Sequence, residues 1–107
     1  MKLQPAARAR LVPAGEGRFE IEGELGFGTA TSLLEASESA FTDQPEITLD
    51  LSGVTRVNSA GIALLIEWLR RARHEKRALH LVNLPEEALA IARICEVESL
   101  LVSTTPA

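Results

Sequence analysis

The chain has 107 residues, 46% of them apolar and 24% charged, with a net charge of -4. That length suits one domain over residues 1–107, and the apolar fraction excludes a disordered chain. The acidic balance argues against non-specific nucleic-acid binding, and the single cysteine, Cys95, excludes an internal disulfide.

Residues 8–12 read as a first strand stopped by Pro13, and Gly15-Glu16-Gly17 as a turn. Phe19, Ile21 and Leu25 then alternate with Glu20, Glu22 and Glu24. This predicts a strand with one buried and one acidic face, hairpin-paired with the first. Gly26-Phe27-Gly28 breaks it, without the third glycine of a dinucleotide fingerprint. Residues 29–41 follow as a helix with an apolar stripe of Ala30, Leu33, Leu34 and Phe41, and Ser32 with Glu35 has capping-box spacing.

The stretch 47–73 organises the rest. Ile47, Leu49 and Leu51 alternate with Thr48, Asp50 and Ser52, a strand pattern that Gly53 ends. Val54 and Val57 anchor a short loop, and a second helix starts at Asn58 or Ser59. Its positions Ile62, Leu65, Ile66 and Leu69 are spaced to face the sheet. It ends in a basic cluster, Arg70, Arg71, Arg73, His74, Lys76 and Arg77, which complements the helix dipole as a solvated helix end, the alternative being a contact to an acidic partner or to lipid headgroups. Residues 78–83 form another short strand, containing His80 with no second metal-ligand candidate beside it. Leu84-Pro85-Glu86-Glu87 starts a third helix whose buried face is Ala88, Ile91, Ala92 and Cys95. Leu100, Leu101 and Val102 offer a last short strand or turn. The order predicts an α/β fold: a mostly parallel mixed sheet with an antiparallel N-terminal hairpin. The second and third helices should cover one face, with the first near its edge.

Neither a signal-peptide core near the N-terminus nor an apolar run long enough to span a bilayer is present, so the chain reads as cytoplasmic. No catalytic pair, metal-ligand cluster or cofactor motif stands out, so it reads as a binding protein rather than an enzyme. The chemistry concentrates at Asn58-Ser59-Ala60-Gly61, where a buried strand meets a helix N-terminus. There the free N–H groups and the dipole favour negative charge. Ser59 can serve as the helix cap, or accept a phosphate that those N–H groups would solvate.

Asp50-Leu51-Ser52-Gly53-Val54 followed by Val57-Asn58-Ser59-Ala60-Gly61 resembles the signature of STAS domains. That fold is shared by anti-sigma factor antagonists, sulfate-transporter tails and the cytosolic Mla phospholipid-transport subunit. Ser59 matches the phospho-acceptor of the family's switches, while Asn58 stands where they carry an aspartate. Gly23-Glu24-Leu25 with Thr29, and Ala63-Leu64-Leu65 with Trp68-Leu69, are most similar to the MlaB type. The resemblance implies a non-catalytic subunit that binds the ATPase of an ABC transporter for phospholipids, peripheral to the inner membrane through that partner. The other implied reading is an anti-sigma factor antagonist with a kinase partner, controlled at Ser59.

Ala60, Leu64 and Trp68 form a second stripe on the second helix, which suits either a partner or cover by the third helix. The partner surface is expected at Asn58, Ser59, Ala60, Gly61, Leu64, Trp68 and Arg71, with Gly61 facing the partner.

Overall fold

The computed structural model describes residues 8–102. Its elements are β1 (Ala9–Pro13), β2 (Arg18–Leu25), α1 (Ala30–Ala40), β3 (Glu46–Val57), α2 (Ser59–His74), β4 (Ala78–Val82), α3 (Glu86–Ile94) and α4 (Glu98–Val102). They form one four-stranded sheet in the order β1-β2-β3-β4. β1 and β2 pair antiparallel, with Leu11 opposite Ile21, and the β2–β3 and β3–β4 pairs are parallel. The hairpin and the mostly parallel sheet agree with the sequence pattern.

Alternation decides which face is covered. Phe19, Ile21, Ile47, Leu49, Leu51, Leu79 and Leu81 point to one side and are buried. The helices pack there: α2 against β2, β3 and β4, α1 beside β1, and α3 against β3. Across the sheet, Glu22 pairs with Arg10 at 3.6 Å. Asp50 Oδ1 accepts bonds from the Asn83 side-chain amide and the Ser52 N–H, which hold its carboxyl below the ordinary value. No helix among the described residues is long and apolar enough to cross a membrane.

Four local expectations need correction. Gly53 does not end the central strand: β3 continues to Val57, and Val54 and Val57 lie on it. Its pairing with β2 persists through two register shifts, which add two residues to β3 and restore its parity. Val57 therefore points into the core opposite Leu25. Ser32 forms no capping box with Glu35, because α1 starts at Ala30 and the Ser32 hydroxyl donates to the Thr29 carbonyl. Cys95 is exposed rather than in the core, since α3 ends at Ile94 and its periodicity ends with it. Residues 98–102 are helical, not a strand, and Leu101 is the one side chain of this turn that is fully buried.

Candidate functional site

The β3–α2 corner is built by Asn58. Its backbone is extended, so its side chain can fold back over the first helical turn. Asn58 Oδ1 accepts from the Ala60 N–H at 3.0 Å and the Gly61 N–H at 3.4 Å. The Asn58 N–H donates to the Leu25 carbonyl at 3.2 Å and fixes the corner to the end of β2. Asn58, not Ser59, is therefore the cap, and Ser59 is the exposed first residue of the helix. Asn58→Ala is expected to cost about 0.5–2 kcal/mol in urea denaturation, while Ser59→Ala should stay within about 0.5 kcal/mol.

A second loop lies beside this corner. Thr29 is buried, and its hydroxyl accepts from the Gly26 N–H at 3.1 Å and donates to the Glu24 carbonyl at 2.6 Å. These bonds hold Gly26-Phe27-Gly28 against Asn58. A Cβ on Gly26 would lie 2.5 Å from the Asn58 amide nitrogen, so any other residue here would push the Asn58 side chain from its capping position. Between them is a shallow cleft lined by Glu24, Phe27, Arg56 and Asn58. Phe27 stands out from it with 76% of its surface exposed. From the other side, Glu87 at the start of α3 accepts the Val57 N–H.

The expected partner residues separate into two groups. Asn58 and Ser59 are exposed and Ala60 is half-buried at the corner. Gly61 is buried: its missing side chain lets α2 approach the Leu25 carbonyl, and it does not face outward. Leu64 and Trp68 are likewise core residues, 4% and 2% exposed, so the expected outward stripe of α2 does not exist. Trp68 lies in a ring series with Phe41 and Phe19, and its Nε1–H donates to Ser37 Oγ at 2.8 Å. Arg71 is half-buried and pairs with Glu67 at 2.8 Å, about 18 Å along the helix from Ser59. Arg70 and then Arg71 hold the Glu67 carboxyl down to about 2.

Sequence reasoning missed Phe27 as part of this surface. The available signal was a large apolar residue between two glycines, outside the alternation of β2.

The fold is that of a small domain of the STAS class, and the strand-to-helix loop at Asn58 is one of its exposed corners. The chain belongs to the MlaB-like STAS domain family, whose model (Mlab, STAS domain) matches residues 12–103. Domains of this family are generally non-catalytic regulatory modules.

Solved structures that this chain resembles include the following three. A sulfate transporter family protein from Wolinella succinogenes is 20% identical, with a TM-score of 0.65 over 86% of this chain and 75% of that one. The anti-sigma factor antagonist SpoIIAA in its unphosphorylated form is 15% identical, with a TM-score of 0.64 over 85% and 83%. Mglu is 25% identical, with a TM-score of 0.56 over 76% of this chain and 20% of that one. This chain thus spans about a fifth of the length of Mglu. The search of curated proteins finds no match.

Proposed function

We propose that the chain is a non-catalytic cytoplasmic subunit that binds the ATPase of an Mla-type ABC transporter for phospholipids and stabilises or tunes it. The observation that carries this reading is the pre-formed corner of exposed Phe27, Asn58 and Ser59 with half-buried Ala60, in a domain of MlaB type. Its loops are held by Thr29 and by the Asn58 cap, so little order has to be acquired on binding. Phe27 supplies an exposed aromatic anchor, and the small Ala60 lets a partner backbone come close.

Coexpression with the ATPase and affinity purification test the reading. Ser59→Glu places a carboxylate at the first position of α2, where the helix dipole tolerates it, so the domain stays folded. The charge then lies in the contact, and affinity should fall at least about tenfold. Phe27→Ser removes an exposed ring and should cost about 2 kcal/mol of binding, roughly 30-fold, with native circular dichroism. Unchanged copurification of both folded variants would place the partner elsewhere.

The exposed Ser59 hydroxyl favours a second reading, an anti-sigma factor antagonist switched by phosphate on Ser59 with a kinase as partner. Phosphoserine at this position in cells, with binding that tracks it, would establish that reading in place of the first.

A further inference from the structure

Far from the Asn58 corner, α2 and the short α4 frame a groove of about 430 Å³. Leu69, Leu79 and Leu100 line it, and Arg70, Arg73 and Arg77 stand around it. Leu69 is half-buried and Leu100 is 49% exposed. Five of the chain's eleven Lys and Arg residues lie within residues 70–77, with Glu75 as the sole acid in that stretch. In a chain of net charge -4, this end of α2 is a concentrated positive region. Glu67 is shared between Arg70 and Arg71, and Glu75 is 3.6 Å from Arg77, so the two carboxylates only partly offset the cluster.

We propose that this groove docks an acidic amphipathic segment of a protein partner. The segment is a helix with apolar side chains at three- or four-residue spacing, flanked by Asp or Glu. Two features select that occupant. The apolar surface is concave and lies between two helices, which accepts protruding side chains of a helix rather than a flat bilayer. Arg70 is forked onto Glu67, and Arg77 donates to the Phe41 carbonyl beside Glu75, which leaves the exposed Arg73 as the guanidinium at the rim whose planar fork can take a partner's carboxylate. The sequences MKLQPAA and STTPA carry no acidic side chain, so neither is the acidic segment meant here.

The test is a photoreactive amino acid at Leu100 in the full-length protein, irradiated in its native cells. The crosslinked segment is then sequenced by tandem mass spectrometry. The expected adduct is a protein segment with acidic residues beside a helical apolar stripe. Its yield should drop about tenfold with Arg73→Glu, an exposed change that leaves circular dichroism native. The same probe at Asn58 reads the other surface, and its adducts should be unaffected by Arg73→Glu. A phospholipid adduct at Leu100, a segment without acidic residues, a yield insensitive to Arg73→Glu, or no adduct there would each overturn the proposal.

Discussion

Trp68→Ala is expected to remove about 3–5 kcal/mol of stability, as truncation of a buried tryptophan does. The indole is 2% exposed and contacts Phe41 at a centroid distance of 5.9 Å. Its N–H satisfies Ser37 Oγ in the interior, and the Ser37 hydroxyl in turn donates to the Leu34 carbonyl at 2.7 Å. Alanine leaves a large void at the α1–α2 contact and removes the donor to Ser37. Each kcal/mol corresponds to roughly 4–8 °C in a domain of this size, so Tm should fall by about 12 °C or more. Trp68→Phe should recover part of the loss, because it refills much of the space without restoring the N–H. Circular dichroism melts measure both variants. A Trp68→Ala melt indistinguishable from wild type would return Trp68 to the surface.

Gly61→Ala is expected to destabilise the domain by about 1–3 kcal/mol, and Gly61→Arg to leave no cooperative melt at all. Two effects compete at this position. Alanine gains about 1 kcal/mol over glycine in helix propensity. Against that, a Cβ would fall inside the contact distance of the Leu25 carbonyl oxygen, a backbone atom that cannot rotate away. The same carbonyl accepts the Asn58 N–H, so pushing α2 outward also strains the bond that fixes the corner. The clash outweighs the propensity gain. An arginine needs far more room than the α2–β2 contact can open. Urea denaturation of purified Gly61→Ala is the measurement, and a stabilised variant would show that the helix stands farther from β2 than described.

These two positions also mark where sequence reading stops. Of the four α2 positions that spacing directs to the sheet, Ile62 and Leu65 are buried, while Ile66 and Leu69 are only half-buried at the groove beside α4. What spacing cannot give is the number of neighbours around a helix. α2 lies in the middle of the helical layer and touches α1, α3 and α4 as well as the sheet. It therefore buries a second stripe, Leu64 and Trp68, which in an isolated pattern looks the same as a docking surface. Gly61 is similar: a small residue in the first turn signals close approach, but only the packed structure says that the approaching backbone is the chain's own β2.

The sequence by itself determined the hairpin, the parallel order of the central strands and the strand-to-helix corner at Asn58-Ser59. Each depends on local periodicity and on residues with strong terminal preferences, which act over a few positions. Tertiary structure decided that β3 runs past Gly53 and that Cys95 lies outside the core. It also decided that Phe27 joins Asn58 at the exposed corner while Trp68 leaves it. The physical reason is common to all of these. Each outcome is set by a contact between segments distant in sequence: β2 pairing along β3, the end of the α3 packing, Gly26 against Asn58, and Ser37 bonding to Trp68.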